Sequence, residues 1–157
     1  MNPGYVRIVA AIDNGDTRDA VIDRAVAIAA SSGAQLRFAH VCDPEGLHYK
    51  TPDWSEPIQR FKNKVADRVE SALQNVKVEE GFSWDIEIID PFYSLSTEIY
   101  RSRESISSIL LNKIIAPFEP DLVLCGERGI SRFRKTLMGS TSKYLLQNVP
   151  CDVTIVR

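Results

Sequence analysis

The sequence predicts an α/β protein with a doubly wound, five-stranded parallel sheet of strand order 3-2-1-4-5 and helices on both faces. Five short runs of apolar and β-branched residues alternate with segments whose apolar residues recur at helical spacing. Strands separated by helices run parallel with right-handed crossovers. The run from Trp84 to Ile88 alternates apolar and acidic residues, as edge strands do, whereas the runs from Val6 and Leu122 are largely apolar and therefore central.

The first half of the chain carries two strands and two helices. Strand 1 is predicted from Val6 to Ile12, followed by a tight turn at Asp13-Asn14-Gly15-Asp16. Helix 1 follows, with Asp16 or Thr17 as its cap and Gly33 as its terminator. Strand 2 runs from Leu36 to Cys42. An irregular, proline-containing loop then leads to the strongest helical pattern of the chain, helix 2, whose apolar residues run from Ile58 to Val76.

The second half repeats this alternation. Strand 3 covers Trp84 to Ile88, and helical spacing returns at Ile106, Ile109, Leu110 and Ile114 for helix 3. Strand 4 begins at Leu122, helix 4 at Thr141, and strand 5 covers Val153 to Val156. Strands 1 and 4 are neighbours whose connections leave to opposite faces, so the crevice at their carboxyl ends is where a ligand is expected.

Composition limits the classes of function. With 157 residues, 44% of them hydrophobic and a formal net charge of −2, the chain is expected to form one domain over residues 1–157 and to bind no nucleic acid. Its three cysteines form no CxxC pair, so we expect reduced thiols. The N-terminus has no signal-peptide pattern and no run approaches membrane-spanning length, which favours a cytoplasmic protein without membrane contact.

A glycine-rich segment after strand 4 predicts an anion site. Gly126 and Gly129 permit a sharp turn, and Gly139 precedes a Ser140-Thr141-Ser142 cluster at a helix start. Free N–H groups and hydroxyls at a helix N-terminus attract anions, and phosphate is the expected occupant. The alternative is an ordinary turn followed by a serine cap.

These residues resemble the universal stress protein family, whose nucleotide-binding members carry Gly, two residues, Gly, nine residues, Gly, then Ser or Thr. Gly126, Gly129, Gly139 and Ser140 match that spacing, and the segment from Asn148 to Arg157 is similar to the family's "APCPVLVVR" ending. The resemblance implies an adenine nucleotide alpha hydrolase-like fold and a cytoplasmic module that binds ATP or another adenine nucleotide, with Mg²⁺ as a possible companion, in stress response.

The resemblance also assigns roles to individual residues. Asp13, at the end of strand 1 beside Ile12, would contact ribose or a nucleotide-bound Mg²⁺, or else cap helix 1. Val41 would recognise adenine through its backbone. Independently of the resemblance, Arg128 is one of four positive charges in the glycine segment and is predicted to neutralise phosphate, the alternative being a solvated basic loop. The complete set of predicted nucleotide-binding residues is Ile12, Asp13, Val41, Gly126, Arg128, Gly129, Gly139, Ser140, Thr141 and Ser142. His40 and His48 have no partner at metal spacing and are predicted to be structural.

One segment departs from the family pattern. From Asp90 to Arg103 the chain has about a dozen extra residues in place of a short turn and compact helix. This insertion lies near the rim of the expected crevice, where it would either close over a ligand or block its entry.

The predicted function is that of a nucleotide-dependent regulatory module with an unknown protein partner. No catalytic residue is predicted, because the chain has no GxxxxGK[ST] motif and no evident base beside the glycine segment. The alternatives are a slow ATP hydrolase or phosphotransferase and a nucleotide-free dimeric interaction module. Strand 5, the last segment of the sequence, lacks the lysine or proline that protects sheet edges, which predicts a homodimer through Val153 to Val156.

Overall fold

A computed structural model of the protein describes residues 4–42, 55–89, 105–127 and 139–157. Its single described sheet has the predicted order, and each adjacent pair of strands is parallel. The strands are β1 (Arg7–Ala11), β2 (Gln35–Val41), β3 (Ser83–Ile89), β4 (Leu122–Gly126) and β5 (Asp152–Val156). At most of the strand ends, the predicted and observed bounds differ by one residue. The predicted fold class is therefore confirmed.

Helical segments cover both faces of the sheet. They are α1 (Arg18–Ser32), α2 (Ser55–Leu73), α3 (Ile106–Leu110), a π-helical segment (Leu111–Ile115), α4 (Ala116–Phe118) and α5 (Ser140–Asn148). The predicted helix 3 thus continues through a π-helical turn, which apolar spacing does not reveal. Val76, the last apolar residue predicted for helix 2, lies beyond α2, where its N–H bonds to the Leu73 carbonyl as in a tight turn.

Two hydrophobic cores lie on opposite sides of the sheet because successive strand residues point to opposite faces. Ile8 and Ala10 of β1 pack with α1 and α2, whereas Val9 and Ala11 pack with α3, the π-helical segment and α5. Both faces of β1 and β4 are buried, as expected for central strands. This packing fixes the carboxyl ends of β1 and β4 next to each other.

Both ends of α1 lie at residues that the sequence predicted as helix boundaries. Gly33 ends the helix with φ 67°, and its N–H bonds to the Ala29 and Ala30 carbonyls, so the predicted terminator is confirmed. At the other end Thr17 occupies the cap position and makes no side-chain capping bond.

No helix within the described ranges combines the length and the apolar character needed to cross a membrane.

Candidate nucleotide site

A cavity of about 360 Å³ lies at the carboxyl ends of β1, β2 and β4, beside the N-terminus of α5. Eight of the ten residues predicted for the nucleotide site line it: Ile12, Asp13, Val41, Gly126, Gly139, Ser140, Thr141 and Ser142. The other two, Arg128 and Gly129, lie outside the described residues, as does the whole insertion from Asp90 to Arg103. The sheet topology therefore brings together segments that are more than a hundred residues apart in sequence.

One end of the cavity is formed by the first turn of α5. Gly139 caps this helix in an extended conformation without any side-chain bond to the first-turn amides. Its own N–H is used, since it donates to the Glu127 carbonyl at 2.7 Å. The N–H groups that follow are the ones a helix start leaves unpaired, and they carry the positive end of the helix dipole. This end of the cavity suits an anion.

The three hydroxyl groups of this turn are in different situations. Ser140 is exposed, whereas Ser142 is only 2% exposed and its Oγ donates to the Gly126 carbonyl. Thr141 Oγ1 accepts a hydrogen bond of 3.2 Å from Ser107 Oγ, which projects from α3. Ser142 thus ties α5 to the end of β4, and Ser140 is the serine whose hydroxyl is available to a ligand.

Cys125 lies beside Ser142 in the floor of the cavity. Burial raises the pKa of its thiol, and a hydrogen bond with Ser142 lowers that pKa by a smaller amount. The thiol therefore stays protonated at neutral pH and is an unreactive apolar surface. Cys42 and Cys151 likewise take part in no disulfide.

Asp13 forms the turn between β1 and α1. Its Oδ1 accepts a hydrogen bond of 2.6 Å from the Gly15 N–H, and because Thr17 holds the cap position, Asp13 does not cap the helix. Asp13 also lines the cavity. No group of three or more metal-ligating side chains occurs in the described part of the chain. Mg²⁺ is commonly held by one carboxylate together with substrate phosphates and water, and Asp13 fits that role.

The opposite end of the cavity is apolar and lies where β1 and β2 stop pairing. Its lining includes Val41 of β2, Ile88 of β3 and the α2 residues Pro57, Ile58 and Phe61. The Ile12 N–H still donates to the Ala39 carbonyl at 2.9 Å, but the next hydrogen bond of the ladder, from Val41 N–H to Ile12 O, is absent between these two described residues. Since Val41 has the same orientation in β2 as Ala39, its N–H and C=O point toward the space that β1 has left.

His40 occupies the place of the missing hydrogen bond. Its Nδ1 lies 2.8 Å from the Ile12 carbonyl oxygen, and its ring stacks on Phe61 with the centroids 4.4 Å apart. A carbonyl only accepts, so Nδ1 carries the proton. Burial lowers the pKa of His40 below its ordinary value, opposed in part by the Ile12 carbonyl and the charge of Asp13. The predicted structural role of this histidine is thus specific: it completes the bonding of Ile12.

Some residues of this cavity were not predicted from sequence. Arg18, from the first turn of α1, lines the cavity with its side chain 21% exposed. Phe61 and Ile58 enter from α2, and Leu110 enters from α3. Their apolar spacing identifies them as core-facing helical residues, but it carries no signal that they also line this cavity.

The profile of the universal stress protein family matches residues 4–157. The chain belongs to the universal stress protein family. A family member of Staphylococcus aureus (strain USA300) is 24% identical over 156 residues, which cover 98% of this chain and 84% of the relative. The family membership predicted from the glycine spacing is therefore confirmed.

Solved structures of the family share the fold. A universal stress protein crystallised in complex with cAMP has a TM-score of 0.63 and 21% identity, with 98% of each chain covered. The Archaeoglobus fulgidus universal stress protein in complex with dAMP has a TM-score of 0.59 and 16% identity, also with 98% of each chain covered. UspA from Lactobacillus plantarum has a TM-score of 0.54 and 23% identity, covering 99% of this chain and all of that one.

Proposed function

We propose that the protein is a nucleotide-dependent regulatory module that binds ATP or another adenine nucleotide in this cavity. The observation that carries the proposal is that each end of the cavity offers backbone groups without a hydrogen-bond partner among the described residues. Val41 offers an N–H and a C=O at the apolar end, and the first turn of α5 offers amides at the other. The solved structures of two family members of similar fold are complexes with cAMP and dAMP, which supports an adenine nucleotide as the class of ligand.

The cavity has dimensions and chemistry that match this ligand. Its volume of about 360 Å³ is at the lower end of the range of about 300–1,000 Å³ that small-molecule sites occupy. An adenine ring would lie against Val41 and the apolar side chains, and the phosphates would approach Gly139 and Ser140. Asp13 would hold the ribose or a nucleotide-bound Mg²⁺, which neutralises phosphate charge when present. Arg128 and Gly129 complete the proposed set of contacts.

Regulation would follow if bound nucleotide changes the surface that a protein partner contacts. The segment from Gly126 to Gly139 connects the end of β4 to the start of α5, both of which line the cavity. A ligand that binds one arrangement of this segment more tightly than another shifts the population toward it. A protein partner that contacts this surface would then distinguish the nucleotide-bound form from the free form, in stress response.

Turnover is expected to be very slow, which separates this proposal from an ATP hydrolase or phosphotransferase. Asp13 is the carboxylate that the described lining contributes, and one of its oxygens already accepts the Gly15 N–H. A general base needs a free position within hydrogen-bond reach of the attacking group. Steady hydrolysis at about 1 per second or faster, a typical enzyme rate, would instead assign the protein to the enzyme class.

We further propose that the protein is cytoplasmic and that residues 1–157 form one domain. We also propose that it forms a homodimer through β5. β5 lies at one edge of the sheet, and no described strand pairs with its outer side. The Val156 carbonyl accepts from Glu127 N–H on the β4 side, so Thr154, two residues earlier, also directs its N–H toward β4. Val153 and Ile155 therefore present the outward groups that a second copy would pair with.

Binding is tested by thermal unfolding with ATP, ADP and AMP, and by mass spectrometry of any small molecule that copurifies with the native protein. A ligand that binds only the folded state contributes about 2.7 kcal/mol at a hundredfold excess over its Kd. For a domain of this size that raises Tm by about 5–10 °C. An unchanged Tm with all three nucleotides at millimolar concentration, and no copurified nucleotide, would refute the proposal.

Gly139 provides a matched pair of variants for this test. Its backbone angles, φ −60° and ψ 154°, are open to any residue, so the substitutions leave the backbone unstrained. Gly139→Val places a branched side chain beside the first turn of α5, whereas Gly139→Ala adds only a methyl group. We expect the Tm increase with ATP to be lost in the valine variant and reduced in the alanine variant, with both proteins folded.

A further inference from the structure

The β1–β2 ladder ends one hydrogen bond earlier than its register requires. Ala11 pairs with Ala39, and the Ile12 N–H reaches the Ala39 carbonyl, so the next donor in a regular parallel ladder is Val41 N–H to Ile12 O. Both residues are described, and this bond is not formed between them. The Ile12 carbonyl instead accepts from His40 Nδ1 at 2.8 Å.

We propose that His40 determines the base specificity of the site by occupying the Ile12 carbonyl, which leaves the Val41 N–H available to the N1 acceptor of a 6-aminopurine. His40 acts through Val41, so it is a positioning residue and need not touch the ligand. The inference rests on the proposed function for its ligand, but the bonding pattern itself is independent of any nucleotide.

The imidazole is held in place from two sides. Phe61 of α2 stacks on the ring at 4.4 Å with an interplanar angle of 22°, and the Nδ1–H bond fixes its rotation. The lowered pKa of His40 keeps the second ring nitrogen unprotonated at neutral pH, but Nδ1 carries its proton in both protonation states. The bond to Ile12 therefore persists whether or not the ring is charged.

The Val41 N–H that His40 leaves without the Ile12 carbonyl, together with the Val41 C=O on the same side of β2, selects between purines by polarity. A backbone N–H donates and a C=O accepts, and adenine presents the complementary pair, the N1 acceptor and the 6-amino donor. Hypoxanthine reverses both, with an N1–H donor and a 6-oxo acceptor. ATP should therefore bind more tightly than ITP, and the ratio of their affinities reports whether the Val41 groups face the base.

Two substitutions at His40 separate the hydrogen bond from the ring. His40→Asn retains a side-chain N–H close to the position of Nδ1 but loses the stacked ring. His40→Phe retains a ring against Phe61 but has no donor, so the Ile12 carbonyl is left to the Val41 N–H. A merely structural role predicts that both variants behave alike or differ only in stability.

The first measurement is amide hydrogen exchange followed by NMR, without any nucleotide. We expect Val41 N–H to exchange at least tenfold more slowly in His40→Phe than in the wild type, because it gains the Ile12 carbonyl as a partner. His40→Asn should retain the wild-type exchange rate. Equal Val41 exchange in wild type and the phenylalanine variant, with both folded, would overturn the inference whether or not nucleotide binds.

The second measurement is the ratio of ATP and ITP affinities by calorimetry. Loss of one or two hydrogen bonds to the base corresponds to roughly a tenfold fall in that ratio. We expect this fall in His40→Phe and a wild-type ratio in His40→Asn. An unchanged ratio in the phenylalanine variant would refute the role of His40 in specificity, whereas failure of the wild type to bind either nucleotide would refute the proposed function instead.

Discussion

Ser142→Ala should destabilise the protein although Ser142 lies in a segment that resembles a ligand-binding motif. The side chain is 2% exposed, and its Oγ donates to the Gly126 carbonyl, joining α5 to the end of β4. Alanine removes this donor and leaves the half-buried Gly126 carbonyl without it. We expect the free energy of unfolding to fall by about 1.5 kcal/mol, the combined cost of a lost hydrogen bond and a poorly satisfied acceptor.

Urea unfolding measures this loss directly. With an m-value of about 2 kcal/mol/M, the midpoint should fall by roughly 0.7 M. Thermal unfolding should show a decrease in Tm of about 3–6 °C for a domain of this length. ATP affinity of the folded variant should change little, because the hydroxyl is already committed to the backbone.

Ser140→Ala is the matched control for Ser142→Ala. Ser140 is exposed at the first position of α5, so the free energy of unfolding of Ser140→Ala should remain within about 0.5 kcal/mol of the wild-type value. Its ATP affinity should fall, because this hydroxyl is available to phosphate. The reasoning is wrong if Ser142→Ala unfolds at the wild-type urea concentration, or if Ser140→Ala loses as much stability.

Three further changes test other parts of the structure. Burial lowers the pKa of His40 below 6.5, so below that pH the unfolded chain takes up a proton more readily than the folded protein. The free energy of unfolding should therefore be constant above pH 6.5 and decrease below it. In urea titrations between about pH 5.5 and 7.5, His40→Asn should remove this decrease. Gly33→Ala should cost about 1–2 kcal/mol or more in chemical unfolding, because φ is +67° and the new Cβ would lie 2.4 Å from the Glu80 carbonyl oxygen. Ile155→Pro should shift a dimer toward monomer in light scattering with the fold intact, whereas Thr154→Pro should mainly destabilise the monomer by removing a bond to β4.

The sheet order was predictable because burial leaves a direct trace in sequence. Trp84, Ile86 and Ile88 alternate with Asp85 and Glu87, and in the structure both acidic side chains pair with Arg37 of β2 while β3 forms an edge. The end of the cavity at the start of α5 was predictable from the spacing of Gly126, Gly139 and Ser140, since glycine allows a sharp turn there and the hydroxyl residues mark a helix start.

Other features depend on distances that a linear pattern does not contain. The bond from His40 to Ile12 depends on where two strands cease to pair, and a lone histidine carries no signal of that. The inward hydroxyl of Ser142 depends on the rotation of α5 about its axis. The direction of the Thr154 N–H depends on the register of β5 against β4. Each of these follows from a hydrogen-bond register, which composition and periodicity leave undetermined.

The central claim is that one adenine nucleotide spans the cavity, with its base at Val41 and its phosphates at the start of α5. The most direct test is a titration of ¹⁵N-labelled protein with ATP, followed by the amide signals of each residue in two-dimensional NMR. We expect the largest shifts at Val41 and at Ser140 to Ser142, and adenosine should shift Val41 without shifting the serine amides. Shifts confined to other surfaces, or none at millimolar ATP, would contradict the account.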